Sequence, residues 1–187
     1  MRRRFNKKYR VYDVCDQYGM RLALTYVHFN NGYAYASDGH ILVRVPLSSL
    51  LPDNSDEERD GLNGFSINWK TLRTIYNYDF IKVERDNEAD TCRIVIYQDD
   101  NMLNEISFKL RKTESIDGLP DMEKVLAASN DAEPVSRIGI SPERLAKLCK
   151  AIAIDKMVVL KFYGERKAIR VTNIHDGSLA IIMPMII

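Results

Sequence analysis

The chain has 187 residues, of which 45% are hydrophobic and 28% charged, and its formal net charge is +1; this composition is ordinary for a soluble globular protein of one domain or slightly more. No apolar run approaches the roughly 20 residues that a membrane span needs, and the basic N-terminus is not followed by the apolar segment of a signal peptide. The three cysteines, Cys15, Cys92 and Cys149, are far apart and form no CxxC pair, so they fit a reducing cytoplasm and indicate neither a disulfide framework nor a cysteine metal site.

The first ten residues form a basic segment that runs into a weak strand. They contain six basic side chains and no acidic one, and a weak strand is predicted from Lys8 to Val14. A short basic arm on a mildly acidic body can contact nucleic acid, whereas a terminus that only keeps the chain in solution is the alternative. We treat residues 1–19 as one unit and expect three of its side chains to contact DNA: Arg2, Arg3 and Arg4.

Residues 20–46 predict three antiparallel strands in meander order. Alternation from Leu22 to Phe29 predicts a long strand, and Asn30-Asn31-Gly32 is a strong hairpin turn. Two short strands then span Tyr33–Pro46 and are joined at Asp38-Gly39, because an Asp-Gly pair supplies the positive φ angles of a tight two-residue turn. The alternation of the last strand places Ile41, Val43 and Val45 on one face, and Leu42 and Arg44 on the other.

The segment of residues 52–61 is charged and rich in turn residues. Its Asp and Glu side chains could suggest a metal site, but they lack the ligand spacing and the central glycine of a calcium-binding loop. We therefore predict a solvated loop there. We expect no metal site and no cofactor in this chain.

An eleven-residue pattern occurs twice, because Phe65–Ile75 resembles Ile138–Leu148 at an offset of 73 residues. In each copy a short strand ends at a good helix N-cap, Asn68 or Ser141, and a helix with one apolar face follows. Three short apolar strands come after each helix, so the repeated unit is β-α-β-β-β. The strands of residues 20–46 correspond to a further copy that lacks its helix. Two helices packed on antiparallel sheets predict an α+β fold.

Both predicted helices carry basic side chains opposite their apolar faces. Lys70 and Arg73 lie one turn apart on the first helix, and Arg144, Lys147 and Lys150 share one side of the second. Solvated faces of two amphipathic helices would show the same pattern. The functional alternative is a surface for phosphate groups, which Lys and Arg contact without reading base sequence.

Three motifs resemble those of bacterial DNA sliding clamps, the beta subunit of DNA polymerase III. Ser37-Asp38-Gly39-His40-Ile41-Leu42 looks like the T-D-G-H-R-L segment of that family. Ile116–Leu126 is similar to its D-G-x-F-P-D-Y-x-x-V-L-P junction between domains, and Ile181–Ile187 resembles its terminal V-V-M-P-M-R-L. The motifs occur in the family's order, with the β-α-β-β-β repeat between them, and the resemblance covers about residues 20–187.

The resemblance implies a DNA clamp-like fold made of repeated half-units. In the family, six half-units form one chain, and two chains close into a ring with basic helices around the hole. Residues 20–126 would then be a clamp-like domain without its first helix, and residues 127–187 a C-terminal half-unit packed against it. The implied partners are double-stranded DNA, held non-specifically, and further copies of the chain. The residues implied in DNA binding are Lys70, Arg73, Arg144, Lys147 and Lys150.

The resemblance also implies a docking cleft for other proteins. In the family, DNA polymerase and other replication proteins insert a short apolar peptide between the second and third domains. Methionine side chains are adaptable and suit a cleft that accepts several partners, although Met183 and Met185 would be ordinary strand core in the simpler interpretation. The positions that match the family's cleft are Leu24, Ser37, His40, Leu42, Pro120, Val125, Ile182, Met183, Pro184 and Met185.

The sequence also departs from the family's pattern. Ile41 and Ile186 stand where the family has arginine, and Ser37 replaces threonine. The chain is about half the expected length, and the first half of a third domain is absent. Either more than two subunits close the ring, or the protein is a clamp-like binding module that does not encircle DNA.

An enzymatic function is the third hypothesis. His40 lies next to Ser37 and Asp38, which superficially resembles a hydrolytic triad. Neighbours on a hairpin point in different directions, so adjacency alone does not build a triad. The sequence contains no nucleophile elbow, no phosphate-binding loop and no HExxH motif, and we predict a non-catalytic protein.

Overall fold

Two antiparallel sheets are formed by the described part of the computed structural model, which comprises residues 4–97, 105–127, 138–152, 158–164 and 166–185. The larger sheet has the strand order β8-β4-β1-β2-β3-β11-β10-β9, and the smaller one the order β5-β6-β7. The strands are β1 Tyr26–Asn30, β2 Tyr33–Ser37, β3 Ile41–Pro46, β4 Phe65–Asn68, β5 Phe80–Asp86, β6 Thr91–Tyr97, β7 Glu105–Lys109, β8 Arg111–Lys112, β9 Val159–Lys161, β10 Ile169–Thr172 and β11 Leu179–Ile182.

The helices are short, and the two predicted ones begin at their predicted N-caps. The Asn68 side chain accepts a hydrogen bond from the backbone N–H of Lys70 at 3.0 Å, and the Ser141 hydroxyl accepts one from Arg144 at 3.4 Å. The α-helices are α1 Leu47–Leu50, α2 Asp56–Asp60, α3 Trp69–Ile75, α4 Met122–Ala127 and α5 Pro142–Ala151, and the 3-10 helices are Val11–Val14, Leu22–Thr25 and Thr113–Ser115.

The repeat and the α+β class are confirmed, with one difference. The first copy contains β4, α3, β5, β6 and β7 as predicted, and in the second copy α5 is followed by β9, β10 and β11. The strand predicted before α5 is reduced to a single bridge between Gly139 and Met185. Pro184, the residue before Met185, has no backbone N–H, so it cannot extend the ladder between the two segments.

The main core lies between the larger sheet and the helices. Leu72 and Ile75 of α3 and Leu148 and Ile152 at α5 are buried there. The predicted alternation of β3 is confirmed, because Ile41, Val43 and Val45 belong to this core. Leu42 points to the opposite face, where it forms a second cluster with the following buried residues: Tyr35, Met122, Leu126, Leu179 and Ile181.

The prediction of a weak strand at residues 8–14 is wrong. Val11–Val14 is a 3-10 helix instead, and it packs against α3, α5 and strands β1 to β3. Phe5 and Tyr9 are buried with it, because their apolar side chains fill the helix-side core. The apolar side chains of residues 5–15 are therefore part of the core, while the division of the chain into units at residues 19 and 126 stays a prediction.

Three further local predictions differ from the structure. The strand predicted from Leu22 starts only at Tyr26, because Leu22–Thr25 is a 3-10 helix in which the Thr25 hydroxyl donates to the Leu22 carbonyl at 2.8 Å. The Asn31-Gly32 turn is confirmed by its two positive φ angles, but in the Asp38-Gly39 turn only Gly39 has one, at 89°. The charged loop contains α2, which a capping box of Ser55 and Glu58 begins.

Candidate functional site

An apolar groove of about 280 Å³ lies where the Leu22–Thr25 helix, the β2–β3 turn, α4 and the end of β11 meet. Seven of the ten predicted cleft residues line it: Leu24, Ser37, His40, Leu42, Pro120, Val125 and Met183. Sequence reasoning missed six others: Arg21, Gly39, Ile41, Gly118, Met122 and Ile181.

The remaining three predicted cleft residues do not line the groove. Ile182 is fully buried in the main core, because side chains alternate along β11 and its neighbours Ile181 and Met183 face the groove. Pro184 is half-buried and does not line the groove either. Met185, whose side chain is 51% exposed, lies in an adjoining pocket. The structure thus brings together most of the predicted set and separates these three from it.

The β2–β3 turn is fixed by its own side chains. The Asp38 carboxylate accepts hydrogen bonds from the backbone N–H groups of His40 and Ile41 at 2.8 and 3.0 Å. The Ser37 hydroxyl accepts from Gly39 at 3.0 Å and donates to the Ile41 carbonyl at 2.8 Å. This hydroxyl is therefore engaged with the backbone, and the arrangement is not that of a nucleophile activated by His40.

The backbone conformation at the rim of the groove favours glycine at position 39. Its φ of +89° is unfavourable for residues with a side chain. A Cβ atom there would also lie 3.2 Å from Nη1 of Arg21 and 3.6 Å from Cδ1 of Leu24. The Arg21 guanidinium therefore lies directly over the turn.

Helix α4 forms one wall of the groove and is held by Glu123. Met122 and Leu126 are buried in the second cluster, and Val125, which is 39% exposed, lines the groove. The Glu123 carboxylate accepts a 2.5 Å hydrogen bond from the Tyr35 hydroxyl and bonds of 3.0 Å from Arg44. Burial alone would raise the pKa of Glu123, but these hydrogen bonds lower it. Sequence analysis did not predict this helix, although the i, i+4 spacing of Met122 and Leu126 is a signal that indicates one.

A polar pocket of about 640 Å³ adjoins the groove on the other side of the β2–β3 turn. Arg21, Gly39 and His40 line both the groove and this pocket. The other residues that line the polar pocket come from the segment after the first 3-10 helix, from the turn, from the start of α5 and from the C-terminal segment: Cys15, Asp16, Gln17, Tyr18, Met20, Asp38, Ser141, Glu143, Arg144, Lys147 and Met185.

The basic residues predicted to contact DNA fall into two groups. Lys70, Arg73 and Lys150 are exposed on α3 and α5. Arg144 and Lys147 line the polar pocket, and the Lys147 ammonium is 3.5 Å from the Glu143 carboxylate. The structure therefore places two of the five in the polar pocket, and the other three are not part of its lining.

Two basic N-terminal residues bind an acidic side chain of the protein itself, which differs from the predicted free arm. Arg4 and Lys7 both form ion pairs with Asp79, at 3.4 and 3.2 Å. Arg2 and Arg3 lie outside the described residues, so their contact with DNA stays a prediction.

The described residues offer little for redox or metal chemistry. Within them, no group of three or more His, Cys, Asp or Glu side chains could hold a metal ion. Burial raises the pKa of the Cys92 thiol to about 12 and raises that of Cys15 further, so both are protonated near neutral pH. None of the described helices is long and apolar enough to span a membrane.

Comparison with known proteins gives structural but no sequence matches. No protein-family model matches the sequence, and no curated protein matches it. A structure from Eubacterium rectale ATCC 33656, assigned as a DNA polymerase III beta subunit, is similar over 96% of this chain with a TM-score of 0.54 and 9% identity. The DNA polymerase sliding clamp from Bacillus subtilis is similar over 95% of the chain, with a TM-score of 0.52 and 12% identity.

The third similar structure is that of the C-terminal region of FEN-1 bound to A. fulgidus PCNA. It covers 100% of this chain, with a TM-score of 0.52 and 13% identity. The chain spans 61% and 60% of the two bacterial proteins but 99% of the archaeal one. The chain therefore has the fold of the DNA sliding clamps.

Proposed function

We propose that this protein is a sliding clamp-like, non-catalytic recruitment factor of DNA replication, and that its groove docks a short apolar peptide of DNA polymerase or another replication protein. The observation that carries the proposal is the groove itself. It exposes Val125 and Met183, each 39% accessible, beside the turn that carries His40. Exposed apolar side chains in a concave site are typical of protein-binding surfaces.

The groove suits a few apolar side chains rather than a large ligand. Its volume of about 280 Å³ is at the lower end of the roughly 300–1,000 Å³ found for ligand pockets. Leu24 and Leu42 line the groove, and the methionine wall can adapt to different partners. The similar PCNA structure contains a partner's C-terminal region, which supports the binding of a chain segment by this fold.

DNA would be held by the exposed cations of α3 and α5. Lys70, Arg73 and Lys150 can contact phosphates without reading base sequence. A closed ring would be made of further copies of this chain. The second candidate function is an adaptor of clamp fold that does not encircle DNA, and the engagement of Arg4 and Lys7 by Asp79 favours it by reducing the free positive charge.

Peptide docking is tested by fluorescence anisotropy with a labelled, C-terminally amidated peptide that carries two leucines and a phenylalanine. We expect it to bind, and the same peptide with these three residues changed to serine to bind much more weakly. Equal binding of the two peptides, or no binding of either, would contradict docking in the groove.

The ring is tested by light scattering and by retention on circular DNA. A closed ring predicts an oligomeric mass, co-elution with nicked circular duplex DNA, and release when that DNA is linearised. A monomeric mass at all concentrations, with peptide binding intact and no retention on the circle, would leave the adaptor as the function.

A further inference from the structure

The polar pocket is an open continuation of the groove. Arg21, Gly39 and His40 line both, so a peptide that lies in the groove can run over the β2–β3 turn into the pocket. Across the pocket, Tyr18 and Met20 are 94% and 89% exposed. A segment that fills the groove would therefore meet apolar side chains and charged groups together at this end.

Two of the three carboxylates of the pocket are already supplied with hydrogen-bond donors. Asp16 accepts from the backbone N–H groups of Tyr18, Gly19 and Arg21 at 3.0, 3.2 and 3.1 Å. Asp38 accepts from two backbone N–H groups of its own turn, and Glu143 lies 3.5 Å from Lys147. Asp16 and Asp38 therefore serve the local structure, and the charge of Glu143 is paired with that of Lys147.

The two arginines of the pocket have unused donors. Among the described residues, neither the Arg21 nor the Arg144 side chain has a hydrogen-bond or ion-pair partner, and the contact shown for Arg144 is through its backbone N–H. A guanidinium has five N–H donors in a planar fork that matches a carboxylate. Three cations and three acids line the pocket, so unused hydrogen-bonding capacity, rather than net charge, determines what it can bind.

We propose that the polar pocket binds an aspartate or glutamate side chain of the same partner segment whose apolar residues fill the groove. Arg21 and Arg144 would donate to that carboxylate, and Tyr18 and Met20 would cover it from solvent. This inference rests on the proposed docking function and adds a specificity for acidic partners. A DNA phosphate is the competing ligand, but the continuity of this pocket with the apolar groove favours a carboxylate on the segment that fills the groove.

The test uses the full chain and the amidated apolar peptide described above, so that no terminal carboxylate is present. One aspartate is placed at successive positions on either side of the apolar residues, and each peptide is compared with its asparagine counterpart. We expect the aspartate peptide to bind about tenfold more tightly at one or two positions, because charge-assisted hydrogen bonds to arginine are stronger than neutral ones. This preference should shrink as salt is raised.

The variants Arg21→Gln and Arg144→Gln should remove most of that preference, which is measured as the ratio of the affinities for the aspartate and asparagine peptides, so that any effect of Arg21 on the groove it also lines cancels. Arg144→Lys should restore part of it, since charge returns without the planar fork. The matched control is Lys109→Gln, which removes an exposed cation from the smaller sheet and should leave the preference unchanged.

Each alternative result overturns the inference in a distinguishable way. If the apolar peptides bind but aspartate gives no advantage at any position, the pocket inference is wrong and the docking function stands. If no peptide binds, both are wrong. If Arg144→Gln weakens binding of a short duplex DNA and leaves the aspartate preference intact, the pocket serves phosphate instead.

Discussion

The backbone N–H of Met183 donates a 3.0 Å hydrogen bond to the carbonyl oxygen of His40, which places the end of β11 against the β2–β3 turn. This bond uses only backbone atoms, so it survives a change of the Met183 side chain. We expect Met183→Ala to weaken binding of the apolar peptide about tenfold, since it removes an exposed wall of the groove. The free energy of unfolding should change by less than about 0.5 kcal/mol. Fluorescence anisotropy would measure the affinity, and urea unfolding of the same sample would measure the stability.

The neighbouring residue supplies the matched control. Ile182 is fully buried in the main core, so Ile182→Ala should lower the free energy of unfolding by about 2–5 kcal/mol because of the cavity left behind. Peptide affinity of the folded fraction should stay close to that of the wild type. The opposite pattern, a stability loss at Met183 and an affinity loss at Ile182, would show that the two faces of β11 are exchanged.

Glu123→Gln tests how the groove wall is positioned. Glu123 touches no part of the groove, but it joins α4 to Tyr35 of β2 and Arg44 of β3. The amide would weaken the charge-assisted bonds and loosen the helix that carries Val125. We expect peptide affinity to fall about three- to tenfold, corresponding to about 0.7–1.4 kcal/mol.

The control for that variant is Glu114→Gln, an exposed acid on the 3-10 helix Thr113–Ser115 that does not line the groove. It should leave affinity unchanged. Faster hydrogen exchange of the amides of residues 122–127 in Glu123→Gln, with unchanged exchange in β2, would locate the effect in α4. Unchanged affinity and exchange would show that packing of Met122 and Leu126 alone holds the wall.

Local sequence patterns predicted the helix starts and the fold class well. They failed for segments whose secondary structure depends on tertiary contacts. Asn68 and Ser141 marked the starts of α3 and α5 because a cap is a property of a few adjacent residues. The sequence of residues 8–14 predicts a strand where Val11–Val14 is a 3-10 helix, since alternation in so short a segment does not distinguish the two. Its helical form depends on contacts with α3 and α5, which the sequence does not display.

In the candidate site, too, local sequence patterns predicted some residues, while the positions of others depend on tertiary structure. Motif positions include His40, Met183 and Val125, which line the groove, but the face to which each residue of β11 points depends on register, and Ile182 lies in the main core instead. The roles of Arg21 and Glu123 depend on residues far apart in sequence, such as the Glu123–Tyr35 bond across 88 positions. No local spacing reveals such a pair.

The N-terminal segment is anchored by a bond across the whole chain. The Tyr9 hydroxyl donates to the Asp176 carboxylate at 2.5 Å, and burial, which alone would raise the pKa of Asp176, is outweighed by the hydrogen bonds from Tyr9 and Ser178. Tyr9→Phe should lower the free energy of unfolding by about 1.5–3 kcal/mol, the range for a hydrogen bond to a charged group. Lys8→Ala, at an exposed neighbour, should change it by less than about 0.5 kcal/mol, and equal effects would mean that the segment is not anchored through Asp176.

His28 should make stability depend on pH. Its ring is 2% exposed, and both nitrogens are engaged at 2.8 Å, Nε2 with the Ala23 carbonyl and Nδ1 with the Ser66 hydroxyl. Because a carbonyl only accepts, Nε2 carries the proton of the neutral ring, and Nδ1 accepts from Ser66. Burial lowers the pKa of His28 from 6.5 to about 4, although the Ala23 bond opposes this.

Between pH 6.5 and about 4 the unfolded chain therefore binds a proton that the folded chain does not. Protons then favour unfolding, so the contribution of His28 to stability is complete above pH 6.5 and is lost as the pH falls through this window. At the acidic end of this pH window the free energy of unfolding should be lower by about 3 kcal/mol. Urea unfolding across the window should show this slope in the wild type and in the exposed-site control His175→Gln, but not in His28→Gln, whose side chain cannot take up the proton. An identical slope in all three proteins would mean that carboxylates, and not His28, cause the acid sensitivity.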